Sequence, residues 1–309
     1  MVEANTSRTP IVVTGANGLV GSHVCRALSE QGATVRAVVR RAGTAPELPG
    51  LTEHVGEFGD FDFAETVVQS ASAVVTTVHP MGADRATQHQ VGVSDTSTLA
   101  RAAQSAGVSR LVHVSTAAVY DRSPGAGDID ESSPLVGDEA GDYAVTKRDT
   151  DAMLAEVGGL TGVLLRPPAI LGAGESSMWN SLRPQRMAED SGARHAVPEA
   201  SFAWVHVEDL AAFAADLATG SIPTSSEPDD GPVEGAWTPV NVVAEPATAR
   251  DYYGTVTNAV GVEPVWQDGP AWTGRFTADR AHGWGWSPRV DLVEALAELD
   301  SGLRASTSS

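Results

Sequence analysis

The chain has 309 residues, 42% of them hydrophobic, with 40 acidic against 20 basic side chains and a formal charge of −20. That length suits one large domain or two closely joined ones, and the acidic balance argues against nucleic acid or an anionic membrane as a partner, because both carry phosphate. A single cysteine, Cys25, rules out an internal disulfide and fits a reducing, cytoplasmic setting; no apolar run approaches the ~20 residues of a spanning helix, and the opening MVEANTSRTP lacks the apolar stretch of a secretory signal.

Ile11–Thr14 reads as a buried strand, followed by a glycine turn and a helix near Leu19–Gln31. Thr34–Val39 is the next strand and Val74–Val78 another, after which a helix runs to about Ala106. Leu111–Ser115 returns to strand, Tyr143–Val157 is helical, and Gly162–Arg166 is strand again. Strands alternating with helical patterns predict βαβ units, hence an α/β doubly wound parallel sheet with helices on both faces. Asp121–Asp142, rich in Gly, Pro, Ser and acid, reads as a long loop of the kind that is often functional. Ser221–Gly235 reads as a polar surface linker and Ala305–Ser309 as a frayed end. Trp266, Trp272, Trp284 and Trp286 crowd the last stretch and read as the cover of a small C-terminal lobe.

Thr14-Gly15-Ala16-Asn17-Gly18-Leu19-Val20-Gly21 joins the first strand to the first helix. Gly15 and Gly18 permit a tight turn and close approach of a pyrophosphate, and Gly21 lets helix and strand pack closely. The helix amino terminus then offers free N–H groups and a favourable dipole to the phosphates. An acid at the end of the second strand would bind the adenosine ribose hydroxyls. This chain has Val39-Arg40-Arg41 there, and an arginine at that position binds a 2′-phosphate in bidentate fashion. The expected cofactor is NADP(H), with NAD(H) as the alternative.

Nineteen of the twenty basic residues are arginine; the one lysine, Lys147, closes the run Tyr143-Ala144-Val145-Thr146-Lys147. Residues four apart share a helix face. A free phenol ionises near pH ~10, too high for a base at neutral pH, and a nearby cation lowers that value. Such a pair donates a proton to a carbonyl oxygen or takes one from an alcohol. No His/Cys/Asp spacing suggests a metal.

These residues resemble the extended short-chain dehydrogenase/reductase superfamily, in its NAD-dependent epimerase/dehydratase branch. TGANGLVG is similar to its glycine turn, Gly56-Glu57-Phe58 to its Gly-Asp-Leu with a longer acid, Val112–Tyr120 (VHVSTAAVY) to the strand carrying the catalytic hydroxyl, and Leu165–Gly172 (LRPPAILG) to the segment beside the nicotinamide. Val205–Leu210 and Gly285-Trp286-Ser287-Pro288 also fit. The resemblance implies a Rossmann domain over residues 1–172 and 203–245 and a small substrate-binding lobe over 173–202 and 246–309. It implies cofactor contacts from Gly15, Asn17, Gly18, Leu19, Val20, Gly21, Arg40, Glu57, Phe58, Val78, His79, Tyr143, Lys147, Pro167 and Ile170. The family's catalytic hydroxyl falls on Thr116, with Ser115 the adjacent alternative, and homodimers are common.

Two departures stand out. The family's asparagine in the helix after Met81 is replaced by Gly92, with Gln90 nearby. The Asp-Glu pair that sugar 4,6-dehydratases carry after their threonine is Ala117-Ala118 here, so elimination of water lacks its acid and base. Candidate substrate contacts are His79, Met81, Trp179, Asn180 and Arg183, with Arg186, Arg194 and His195 in the same stretch; His206 reads as structural. The leading expectation is an oxidoreductase that acts on a ketone or secondary alcohol. A nucleotide-sugar epimerase with retained cofactor comes next, although Asp268–Asp279 does not match its usual arginine-bearing segment. A non-catalytic cofactor sensor ranks last, because such relatives lose the tyrosine–lysine pair. The expected partner is a small carbonyl, alcohol or sugar.

Overall fold

A computed structural model describes residues 9–80 and 82–307. In chain order its strands and α-helices are β1 (Ile11–Thr14), α1 (Leu19–Glu30), β2 (Val35–Val39), β3 (Leu51–Val55), α2 (Phe61–Val68), β4 (Ala73–Thr76), α3 (Arg85–His89), α4 (Thr96–Ser105), β5 (Arg110–Val114), α5 (Asp142–Ala155), β6 (Thr161–Arg166) and β7 (Ala169–Leu171). There follow α6 (Arg183–Glu189), β8 (His195–Ala196), β9 (Trp204–His206), α7 (Val207–Thr219), β10 (Trp237–Asn241), α8 (Ala249–Ala259), β11 (Val265–Trp266), α9 (Asp279–Gly283) and α10 (Leu292–Thr307).

Seven strands form one sheet in the order β10-β6-β5-β4-β1-β2-β3. The β1 strand pairs in parallel with β2 on one side and β4 on the other, Val13 standing opposite Ala37 and Val75. Every residue of β1 and β4 is buried, which is why both read as unbroken apolar runs. The chain winds outward to β3 in one direction and through β4 and β5 in the other. The reversal between β1 and β4 is the switch point beyond whose carboxyl ends doubly wound proteins bind ligands.

The chain divides into two compact units. The first runs to Val114 and takes in Thr146–Leu164 and Ala211–Thr238; the second comprises Ser115–Val145, Leu165–Leu210 and the chain from Pro239. Ser115–Val145 thus groups with the C-terminal residues. The first unit is built on an aliphatic cluster including Val12, Val38, Val74, Leu99, Leu111 and Leu154. The second is built on an aromatic-rich cluster including Leu171, Phe202, Trp204, Tyr252 and Leu299.

The structure refines several local expectations. The helix expected to run to about Ala106 is unbroken from Arg85 to Ser105: α3, capped by Asp84 on the Thr87 N–H, continues through a π-helical turn Gln90–Asp95 into α4. Gly92 sits in that turn, and a Cβ there would lie 3.1 Å from Thr146 Cγ2 and 3.4 Å from Thr150 Oγ1. The missing side chain therefore lets the turn pack closely against α5. The stretch Ser221–Gly235 is not a bare linker: Ser225 donates its N–H to Pro232 O at 3.0 Å, and Ser225 bridges Val233. Of Ala305–Ser309, expected to fray, residues 305–307 complete the last turn of α10, and 308–309 lie outside the described residues. The loop Asp121–Asp142 is tied to the second unit's late segment through Ile129 N–H to Arg275 O at 2.7 Å, Thr277 N–H to Ile129 O at 2.8 Å, and Trp272 Nε1–H to Gly127 O at 2.7 Å.

Candidate active site

Gly15 adopts a φ of +68°, and a Cβ there would lie 2.8 Å from Thr77 Oγ1 and 2.9 Å from Val78 Cγ2. A Cβ on Gly21 would lie 2.1 Å from Gly15 O. Both positions require glycine. Gly18 is the N-cap of α1, no side chain caps its first amides, and no acid stands in its first turn. By contrast Asp60 and Asp84 cap α2 and α3. The amides around Leu19 and Val20 are thus presented to an incoming anion without competition from a carboxylate. Thr77, which the sequence reading missed, fixes this mouth by donating its hydroxyl to Thr14 O at 2.7 Å. The only hint in the sequence is a hydroxyl just past an apolar strand. Asn17 reaches sideways, its Nδ2 donating to Thr44 Oγ1 at 3.3 Å.

At the end of β2, Arg40 and Arg41 are exposed. Glu57 is exposed on the turn after β3, whereas the ring of Phe58 is buried in the core with Val12, Val38 and Ala64. Of this expected pair only Glu57 offers a side chain to a ligand. Val78 and His79 are half-buried just beyond β4, and Met81 lies outside the described residues.

Helix α5 carries Tyr143, half-exposed, and Lys147, which retains only 3% of its surface exposed. Lys147 Nζ donates to Val114 O at 2.7 Å, the last carbonyl of β5. That contact is not legible in the sequence. Burial pulls the ammonium down to about 8, opposed by the negative charge of Asp151 one turn further along the helix. His79 is held at about 4 by burial and by the Lys147 charge. Its Nε2 lies 3.2 Å from Gln88 Oε1, and Gln88 Nε2 in turn donates to Ala83 O at 2.7 Å. Since Oε1 only accepts, this network assigns the proton of neutral His79 to Nε2. His113 is driven well below its ordinary value by burial and pairs with Thr76 Oγ1 at 2.6 Å. Both imidazoles are therefore neutral at physiological pH, and the charge on Lys147 has no cationic competitor from them.

In the second unit, Ser115 donates its N–H to Leu165 O at 2.7 Å and Ala117 donates to Pro167 O at 2.8 Å. The segments VHVSTAAVY and LRPPAILG are thereby locked together. Thr116 Oγ1 accepts the Ala118 N–H at 3.1 Å and donates to Pro167 O at 3.4 Å, while Ser115 Oγ is buried without a partner. Pro167 is buried and Ile170 half-buried on β7. Trp179, Asn180 and Arg183 meet at the π turn Met178–Leu182 and the start of α6, each with internal partners. The ring of Trp179 packs edge-on against Phe202 and Tyr252, both at 5.3 Å. Asn180 Oδ1 accepts the Gly172 N–H at 3.0 Å. Arg183 lies over the rings of Trp179 and Tyr253, at 5.2 and 5.3 Å, and donates to the Tyr253 hydroxyl. Elsewhere in this unit Arg275 pairs with Asp128 at 3.0 Å, Arg250 with Glu199 at 3.0 Å, and Arg194 donates to Glu263 O at 3.4 Å. His206 is buried and pairs with Glu298 at 3.1 Å, in keeping with a structural part. Among the described residues no cluster of three His, Cys, Asp or Glu side chains could hold a metal ion, and no helix is long and apolar enough to cross a membrane. Cys25 is buried, its thiol pushed up to about 12 by burial, and is inert at neutral pH.

A glycine turn with an open helix terminus at the switch point of a parallel sheet defines a dinucleotide-binding α/β protein. Residues 11–220 match the profile of the NAD dependent epimerase/dehydratase family. The chain belongs to that family, and so to the extended short-chain dehydrogenase/reductase superfamily. It is 29% identical over 194 residues to a 4-hydroxy-2-methyl-3-oxo-4-farnesyl-3,4-dihydroquinoline-1-oxide ketoreductase of Stigmatella aurantiaca, covering 59% of this chain and 58% of that one. Matches to a sterol demethylase protein B of Methylococcus capsulatus and to a 3 beta-hydroxysteroid dehydrogenase/isomerase of Mycobacterium tuberculosis cover 51% and 50% of those relatives, so the chain spans about half their length. A dTDP-6-deoxy-L-talose 4-dehydrogenase of Kitasatospora kifunensis is 25% identical with 97% of each chain covered. Among solved structures, the Bordetella bronchiseptica enzyme WbmH in complex with NAD+ superposes with a TM-score of 0.77 at 22% identity, covering 96% of this chain and 98% of that one. The UDP-glucose 4-epimerase of Thermotoga maritima gives 0.74 at 18% identity, with coverage of 96% and 99%. At these identities the structural likeness is one of fold.

Proposed function

We propose that this protein is an NADP(H)-dependent oxidoreductase that interconverts a ketone and the matching secondary alcohol of a small molecule. The observation that carries this reading is the chain's one lysine, buried, held on the last carbonyl of β5 and set one helical turn after Tyr143. The cradle of Gly15 and Gly21 and the uncapped start of α1 fit a dinucleotide, which Gly15, Gly18, Gly21 and the first amides of α1 would hold by its pyrophosphate. When bound, the nicotinamide supplies or accepts the hydride.

The remaining chemistry belongs to the chain. Tyr143 gives its phenolic proton to the carbonyl oxygen in reduction and takes it back in oxidation. Lys147 favours the phenolate through its charge. Thr116 hydrogen-bonds the reacting oxygen and so fixes which way the carbonyl faces, with Ser115, whose hydroxyl is buried without a partner, as the adjacent candidate. Exposed Arg40 and Arg41, in place of an acid at the end of β2, support NADP(H) over NAD(H).

The rival reading is nucleotide-sugar epimerisation, favoured by the likeness to UDP-glucose 4-epimerases. It needs cations for a diphosphate. Of Arg183, Arg186 and Arg275, the arginines that could serve there, Arg183 donates to Tyr253, Arg275 pairs with Asp128, and exposed Arg186 lies 4.0 Å from Asp190. This supports a substrate without a nucleotide. The deciding experiment follows NADPH absorbance with a panel of ketones and of nucleotide sugars. Stoichiometric consumption with a ketone supports the proposal; redox-neutral turnover of a nucleotide sugar overturns it.

A further inference from the structure

The side chains of Arg40 and Arg41 have no hydrogen bond or ion pair among the described residues. This is unexpected in a chain with 40 acids and 20 bases. A carboxylate is close in sequence and topology: Glu53 lies on β3, opposite Ala37 of β2. It does not neutralise either arginine. Its Oε1 instead accepts the N–H of Gly43 at 2.9 Å, and its Oε2 accepts those of Thr44 at 3.1 Å and Ala45 at 3.0 Å. Gly43, with φ of +74°, allows the turn that aims three successive amides at one carboxylate. Thr44 completes the tie: its hydroxyl donates to Arg41 O at 2.7 Å and accepts from Asn17 of the glycine turn at 3.3 Å. The chain just after the two arginines is thus pinned to β3 on one side and to the pyrophosphate turn on the other. The N–H groups of Gly43 and then Ala45 hold the Glu53 carboxyl below its ordinary value, so it is ionised at neutral pH.

We infer that Glu53 is a positioning residue for the adenosine 2′-phosphate: it clamps the Arg40–Ala45 loop beside the glycine turn and leaves two guanidiniums free for the phosphate. The inference rests on the NADP(H) reading above. Two physical consequences follow. Because Glu53 fills the amides of Gly43, Thr44 and Ala45, they are closed to a phosphate, and recognition falls to the arginine side chains, which bind phosphate as planar forks. Because the backbone that carries them is already fixed, less order has to be imposed when the ligand binds. Removing the clamp should therefore weaken 2′-phosphate recognition without touching the pyrophosphate end.

The test is calorimetric titration of wild type, Glu53→Ala, Glu53→Gln and Arg40→Ala with 2′,5′-ADP and with AMP, which differ only in the 2′-phosphate, alongside thermal melts. Wild type should bind 2′,5′-ADP more tightly than AMP, and Arg40→Ala should lose most of that preference. In Glu53→Ala the affinity for 2′,5′-ADP should drop about tenfold, the cost of ordering one or two freed side chains, while AMP changes less than about twofold. Glu53→Gln, which keeps an acceptor oxygen without the charge, should fall between. A wild-type preference that survives in both Glu53 variants overturns the positioning role alone. Equal weakening of both ligands with a lowered melting temperature marks Glu53 as merely structural and also overturns it. No preference for 2′,5′-ADP in wild type overturns the NADP(H) reading and this inference with it.

Discussion

Replacing Asp151 by Asn probes the electrostatics of Lys147 without touching either member of the proposed catalytic pair. Asp151 and Lys147 are both 3% exposed and stand four residues apart on α5. Side chains one helical turn apart have Cβ atoms about 6 Å apart, and that spacing sets the scale for the two charges. At an effective dielectric of about 20 to 40, such a pair interacts by about 1.4 to 2.8 kcal/mol, or one to two pH units. In wild type this attraction offsets part of the burial that brings Lys147 down to about 8. Without the carboxylate the ammonium loses its proton at lower pH. Since the lysine and tyrosine titrate as a coupled pair, the visible effect belongs to both. The alkaline limb of kcat/KM for ketone reduction should move toward acid by about one to two units, with little change in the cofactor's dissociation constant. An Asp151→Asn profile that overlays wild type would falsify the electrostatic role given to Asp151 and Lys147.

Lys147 also leaves a mark on stability. Its folded value of about 8 lies below its ordinary 10.5, so between those values the unfolded chain holds the extra proton. Stability should then rise with pH across that window by up to about 3 kcal/mol and fall back as pH drops through 8; chemical denaturation should show the rise in wild type and not in Lys147→Met. Tyr143→Phe should cut turnover by about 10²- to 10⁴-fold, the usual worth of a positioned acid, with cofactor affinity kept, and equal turnover would remove Tyr143 from the mechanism. Arg40→Asp should move the ratio of catalytic efficiencies toward NADH, and an unmoved ratio would clear Arg40 of cofactor selection. Gly21→Ala, whose new Cβ would sit 2.1 Å from Gly15 O, should weaken cofactor binding at least tenfold and destabilise the fold by about 1–3 kcal/mol, checked by fluorescence titration and thermal melting.

The parts that announced themselves in the sequence share a physical cause. The β1, β4 and β5 strands are buried along nearly their whole length, so each appears as an apolar run. The turn after β1 has glycines where side chains would strike Thr77, Val78 or the backbone of Gly15. Lys147 stood out because it is the one lysine, four residues after a tyrosine. What stayed hidden depends on partners distant in the chain. The β3 strand is half-buried at a sheet edge, and Leu-Thr-Glu-His-Val shows no clean alternation. The short helix α2 has only eight residues. The π turn at Gly92 answers to Thr146 and Thr150, more than fifty residues away. The Val114 carbonyl under Lys147 is a backbone atom, about which side-chain identity says nothing. The same holds for Glu53, whose carboxylate looks like ordinary surface charge until its three amide partners are seen.

The phenol chemistry can be read without knowing the substrate. The chain has four tyrosines. Tyr120, Tyr252 and Tyr253 are buried, and burial pushes the Tyr252 phenol upward, whereas Tyr143 is half-exposed. An ultraviolet phenolate titration of wild type, Tyr143→Phe and Lys147→Met is therefore the most direct measurement. One tyrosine should ionise well below the ordinary value of about 10; that step should vanish in Tyr143→Phe and return toward 10 in Lys147→Met. If wild type and both variants show no early step, Lys147 does not activate Tyr143 and the proposed chemistry fails.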